Sequence, residues 1–380
     1  MRLRHVGERE RFVRWLIFIL LAAAAGATVY AMTQPQPLEP PAVFSPAAQV
    51  DSHRCAECHS TLYEEFQKAP HRFTLRPGND SELIERFRGQ SIDLFNDTYR
   101  FDEVQGMLQV SAKAFPGRRS VDWIFGSGHH ALTPVTLLKN PRGETEMFQF
   151  HASWYPDHGL GLTPGSMAQG ETASIGLHHS ATETLQCFGC HSTFLAVENG
   201  RLDLDRSVVG VTCARCHPGA ARHADSEGEL PTAVDWKALS PLDSINRCGE
   251  CHRRIEEFTQ DELTTENQLL IRFAPVGLAL SPCFQAQTGA PGSVRMDCIT
   301  CHDPHRPAAT DPAYYAQRCN TCHAPSHADS TPCPVRPQGS DCLTCHMPKV
   351  KTSDYLAFTD HWIRVREPEN AEPFHAVPSK

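Results

Sequence analysis

The sequence predicts short α-helices and irregular loops packed around seven copies of one cysteine motif, with a small antiparallel β insert near residues 100–155. Three observations predict this. Only 40% of the 380 residues are apolar, while 29 are proline and 16 are cysteine, so side chains alone make a thin core. The pattern Cys-x-x-Cys-His begins at Cys55, Cys187, Cys213, Cys248, Cys298, Cys319 and Cys342. Alternating apolar and polar runs fill the long gap between the first and second copies.

The motif fixes the chemistry. Its cysteines are Cys55 and Cys58, Cys187 and Cys190, Cys213 and Cys216, Cys248 and Cys251, Cys298 and Cys301, Cys319 and Cys322, and Cys342 and Cys345. Its histidines are His59, His191, His217, His252, His302, His323 and His346. A zinc knuckle, a disulfide or a thioredoxin-like pair needs no histidine directly after every second cysteine. Covalent haem needs one: two thiols bond to the vinyl groups on one porphyrin edge, and one turn of backbone aims the next imidazole at the iron. The expectation is seven c-type haems, each a flat apolar body standing in for core side chains. Short helices should form at the motifs, joined by proline-rich chain.

A haem iron has a second face. In "MDCITCHDPH", His305 lies three residues past His302, and Pro304 turns the chain away from a continuing helix. A histidine so placed suits the far face of a different haem. The same logic selects His71 in "EEFQKAPHRF", His130 in "GSGHHA", His223 in "CARCHPGAARH" and His361 in "FTDHWIRV" as distal metal ligands. His179 is a further candidate, with His178 as its alternative; His151 and His327 are weaker ones. The five stronger candidates do not supply all seven haems, so an open iron face is allowed.

Residues 1–32 read as a membrane anchor or signal peptide. Arg2, Arg4, Arg9, Arg11 and Arg14 precede an uncharged run from Trp15 to Met32, and the positive-inside rule exports the rest of the chain. A retained anchor is expected; cleavage at Ala25-Gly26-Ala27 or Val29-Tyr30-Ala31 is the alternative. Residues 33–50 form a proline-rich stem, residues 51–186 a first-haem domain with the small sheet, and residues 187–380 a haem-dense domain with six haems. Within the insert, "MLQVSA", "VDWIF" and "EMFQFHASWY" read as strands, and "FPGRR" and "KNPRGE" as turns. After Cys187 the close motif spacing leaves little room for anything but haem binding. The polar stretch Ile255 to Leu270 reads as a helix or an excursion between the fourth and fifth haems. Cys283 and Cys333 fall outside the motifs; in an oxidising compartment a disulfide between them is the default, with free thiols or an iron-ligating cysteine as alternatives.

A net charge of −9 argues against nucleic-acid binding, which needs clustered Lys and Arg. Redox partner proteins fit better, such as a quinol-oxidising membrane complex or other cytochromes, with the membrane itself met through the N-terminal helix. The expected location is the periplasmic side of the inner membrane, or soluble periplasm after cleavage.

"CAECHSTLYEEF", "GSGHHA", "SPCF", "DCITCHDPH", "DCLTCHMPK" and "TDHWIR" resemble the multihaem cytochromes of the cytochrome c-554 and hydroxylamine-oxidoreductase superfamily. The resemblance spans Asp51 to Arg366. It implies that the second histidine of His-Asp-Pro-His, here His305, is a distal ligand to a neighbouring haem, and that His130 rather than His129 is the ligand in "GSGHHA". Relatives carry helical repeats after the haem region that this sequence does not show, which puts any function of that extension in doubt.

Two functions fit. The first is an electron carrier, a row of mostly bis-histidine haems in a respiratory pathway. The second is a reductase or oxidase of small nitrogen or sulfur compounds with one five-coordinate haem. Against the second, no motif ends in lysine, as it does at the active site of ammonia-forming nitrite reductases, and the seven motifs fall one short of the octahaem oxidases.

Overall fold

The computed structural model describes residues 50–113, 115–166, 176–287, 295–323 and 342–366. The chain enters through helix α1 (His53–Phe66), strand β1 (Leu75–Pro77) and helix α2 (Ser81–Phe87). A meander comes next: β2 (Ser91–Leu94), β3 (Asp97–Val104), β4 (Met107–Ala112) and β5 (Phe115–Ser120). After it lie β6 (Trp123–Phe125), β7 (Thr133–Lys139), β8 (Thr145–Phe150), β9 (Ala152–Tyr155), β10 (Gly159–Leu162) and β11 (Gly176–His179). Helix α3 (Ala181–Cys190) leads to the hairpin β12 (Ser192–Glu198) and β13 (Arg201–Val209).

Two antiparallel sheets organise this half, one ordered β2-β3-β4-β5 and one β1-β6-β7-β8-β11. Alternation splits the second sheet between two cores. On β6, Ile124 joins Phe101, Leu108, Val110, Leu132 and Phe150 beneath α2, whose Leu83, Ile84 and Phe87 close that core. Its neighbours Trp123 and Phe125 face the other way, onto Phe188 of α3 and Leu195 of β12. Asp80 caps α2 by accepting from the Leu83 amide at 3.1 Å, and Ser180 caps α3 in a reciprocal box with Glu183. The second core joins residues on both sides of position 186, so the second motif is packed against the sheet.

The remainder is short helices. These are α4 (Cys213–Cys216), α5 (Ala220–Asp225), α6 (Pro241–His252), α7 (Ala274–Leu280), α8 (Pro282–Gln285), α9 (Cys298–Cys301), α10 (Pro312–His323) and α11 (Cys342–His346). A last hairpin pairs β14 (Lys349–Lys351) with β15 (Ala357–Thr359). All seven motifs lie on helices, mostly at their C-terminal ends.

Several expectations are corrected. The β structure is no small insert over 100–155: strands run from Leu75 to Val209. β12 and β13 fill the gap between the second and third motifs, where only haem binding was expected. "FPGRR" is part of β5 rather than a turn; β5 is a sheet edge, where Pro116 breaks no ladder. The stretch from Ile255 to Leu270 is no single helix but carries three separate 3₁₀ turns that begin at Ile255, Gln260 and Gln268. Residues 1–49 and Cys333 lie outside the described residues, and with them the anchor, the stem up to residue 49 and the disulfide. Among the described residues, no helix is long and apolar enough to cross a membrane.

Candidate metal centres: facing histidine pairs

Most motif helices end at or next to the histidine; α1 runs on to Phe66 but breaks helical geometry at His59. Asp297, just before the fifth motif, caps α9 through the Thr300 amide at 3.1 Å and is held by Ser244 Oγ (2.8 Å) and Arg295 Nε (2.7 Å). Ser240 caps α6 by accepting from the Asp243 amide at 3.1 Å, with Pro241 at the first helical position. His191, His217 and His302 then leave helical geometry as C-caps, which frees their rings to point away from the helix.

Four motif histidines face a second histidine brought from elsewhere in the chain. Ring centroids are 6.3 Å apart for His59 and His223, and 6.2 Å for His71 and His252. They are 6.2 Å apart for His217 and His305 and for His302 and His361. That span lies at the wide end of ring contact and suits a metal between: two imidazole-to-metal bonds of roughly 2 Å each, plus the two half-rings, come to about 6 Å.

Hydrogen bonds fix which nitrogen is left to face the gap. Nδ1 bonds to the Leu230 carbonyl in His223 (2.7 Å) and to the Thr359 carbonyl in His361 (2.9 Å). In His191 it bonds to the Thr74 carbonyl at 2.8 Å, and in His346 to that of Arg364 at 3.1 Å. His305 Nδ1 lies 2.9 Å from Asp303 Oδ1, which also accepts from the His305 amide at 3.0 Å. Each anchor leaves Nε2 as the free ligand nitrogen. Burial lowers the pKa of His71, His191, His217, His302 and His361, and that of His252 to about 4 with help from His71 and His191. Such rings are neutral at pH 7, the form that binds metal.

Among the described residues, no three His, Cys, Asp or Glu side chains cluster as a metal cage. Two imidazoles on opposite sides fit a metal that arrives with its equatorial ligands already in place. The surroundings fit a flat apolar group as well: α1, α9, α10 and α11 bury no residue, and Leu62 on α1 and Ile299 on α9 remain 41% and 40% exposed.

A sequence profile described as "Cytochrome c554 and c-prime" matches residues 162–218, which hold the second and third motifs. The dissimilatory sulfite reductase MccA of Wolinella succinogenes is 24% identical over 312 residues, covering 67% of this chain and 41% of MccA. This chain therefore matches less than half the length of that relative. The crystal structure of the outer cell wall cytochrome OcwA superposes with a TM-score of 0.51 at 14% identity, covering 85% of this chain and 80% of that one. The last likeness concerns the fold alone. The chain is a multihaem c-type cytochrome.

In such a cytochrome the haem is covalently attached through the motif cysteines, and histidine holds its iron. Contacts between thiols show which motifs are neighbours. Cys55 lies beside Cys213, Cys190 beside Cys251, and Cys248 beside Cys298. The first motif thus meets the third, and the fourth meets both the second and the fifth.

The other expected ligands stand differently. Among the described residues, no second histidine ring faces His191, His323 or His346; the His191 ring lies against Phe125 at 4.9 Å. His130 packs on His129 and on Phe358 of β15, each at 4.8 Å, and burial lowers its pKa to about 4. His179 ends β11 with Nε2 buried and without a hydrogen-bond partner, while His178 bonds to Glu146 at 2.7 Å. His151 is buried against Ser166 Oγ (3.0 Å) and Phe95 (4.9 Å). His327 lies outside the described residues.

Sequence reasoning missed the anchors. Asp303 had a signal, since an Asp two residues before a ligand histidine can bind that residue's own amide and ring. The carbonyls of Thr74, Leu230, Thr359 and Arg364 had none, because any residue type supplies a carbonyl.

Proposed function

We propose that this cytochrome carries seven haems, one on each motif, and conducts electrons through mostly bis-histidine centres in a respiratory pathway. The observation that carries the reading is the set of four facing histidine pairs, which would close both faces of four irons to substrate. Bound haem supplies one-electron exchange at iron; the protein sets distances, axial ligands and burial. The pairs also tie motifs together. His223 follows the third motif yet faces the first, His305 follows the fifth yet faces the third, and His361 follows the seventh yet faces the fifth.

The N-terminal arginines and the run Trp15 to Met32 support placement on the periplasmic side of the inner membrane, anchored there or released by cleavage. The partners proposed are a quinol-oxidising membrane complex or other cytochromes, consistent with a net charge of −9.

One observation favours a second reading. His191, like His323 and His346, faces no histidine among the described residues, so an iron held at one of them would keep a position for a ligand, and the MccA relative is a sulfite reductase by name. Catalysis would then concern a small sulfur or nitrogen oxyanion or hydroxylamine.

Voltammetry of the full-length protein on an electrode tests the two together. A carrier gives reversible waves that sulfite, nitrite and hydroxylamine leave unchanged. A catalytic current with any of them overturns the carrier reading.

A further inference from the structure

Arg215 occupies a variable place in the third motif, "CARCH". By sequence it belongs to one haem loop; in the fold it reaches into two others. Its Nη2 donates to Cys251 Sγ of the fourth motif at 3.5 Å. Cys190 Sγ of the second motif lies 3.8 Å from the carbonyl of Glu250, the residue before Cys251. Cys216, of Arg215's own motif, is the next residue along the chain. One guanidinium therefore stands among the attachment cysteines of three haems. Glu250, the carboxylate that acts on Cys216 and Cys251, is itself engaged by Arg247 at 3.1 Å and Arg254 at 3.7 Å.

We propose that Arg215 is a positioning residue for charge at this junction, raising the reduction potential of the haems on the second, third and fourth motifs. The physics is direct. Each ferric iron gains one electron and no proton moves, so a fixed cation nearby favours the reduced state. For a unit charge about 10 Å away at an effective dielectric of about 20, the reduced-to-oxidised ratio rises roughly ten-fold. Arginine stays protonated throughout the accessible pH range, so the bias does not depend on pH. The fourth motif lies beside the second and the fifth, which makes this the place where such a bias directs electrons toward His191 or away from it. The assignment rests on the carrier reading, and the potentials are measured without substrate, so a catalytic current would remove that reading and leave this one testable.

The experiment compares native protein with Arg215→Gln, Arg215→Met and Arg215→Lys, all full-length and haem-loaded. Haem per chain is counted by pyridine haemochromogen, and potentials are followed by optical and EPR-monitored titration. Expected is a lower potential for two or three haems in both neutral variants. At the native midpoint the reduced-to-oxidised ratio of those haems falls about ten-fold, the other haems hold still, and Arg215→Lys stays close to native. Neutral variants with full haem content and an unmoved titration would overturn the proposal. So would an Arg215→Lys shift as large as that of Arg215→Gln, since contact geometry rather than charge would then be responsible.

Discussion

The sheet region from Leu75 to Val209 and the helical region from Gly210 to Arg366 are built on different principles. In the first, two sheets and α2 bury Phe87, Tyr99, Phe101, Leu108, Ile124 and Phe150 completely, and a second core forms on the far side of β6. In the second, side-chain cores are small: Ile245, Leu278 and Ala279 make one, and Ala214, Ala220 and Val50 another. Helices α9, α10 and α11 bury nothing. Buried apolar area is the main stabilising term in a domain, so the first region can hold itself together and the second depends on what the motifs carry.

The largest effect should come from withholding haem. Protein made without haem attachment is expected to keep amide protection over β3, β4, β6, β7 and β8 while α4 to α11 exchange freely, as read by hydrogen-exchange mass spectrometry. Equal loss in both regions would erase the distinction. Phe101→Ala attacks the other side. It empties a fully buried position between the sheets and should cost about 3–5 kcal/mol in chemical denaturation, with the haem spectrum unchanged. A spectral change across several haems would mean that the two regions share one core.

Smaller effects sharpen the account of the pairs. His305→Ala removes one ring from the His217 pair, so one haem should turn high-spin and bind CO after reduction while the rest stay indifferent. Asp303→Asn is milder: the ring keeps a hydrogen-bond partner but loses its charge. The spin state should hold, and one haem potential should rise because a less electron-rich imidazole stabilises ferric iron less.

Legibility in the sequence follows the same division. The motif helices were readable because attachment chemistry dictates both spacing and residue type, and the distal candidates His71, His223, His305 and His361 followed from their places beside motifs. Their partners were not readable, because pairing is set by tertiary path: nothing near "PHRF" points to the fourth motif rather than the first. The extent of the sheets was underestimated for a different reason. "LDLDRSVV" alternates as a strand should, but it lies between two closely spaced motifs, and motif spacing outweighed the period-2 signal. "FPGRR" carried a Pro-Gly signature that an edge strand tolerates and a central one would not.

The most direct measurement is near-infrared magnetic circular dichroism, with low-temperature EPR, on the ferric full-length protein at a known haem count. Both methods distinguish bis-histidine iron from other axial pairs. The paired geometry predicts at least four bis-histidine haems per chain. Fewer than four in protein with every motif loaded would contradict it, and the facing rings would then be packing rather than ligation.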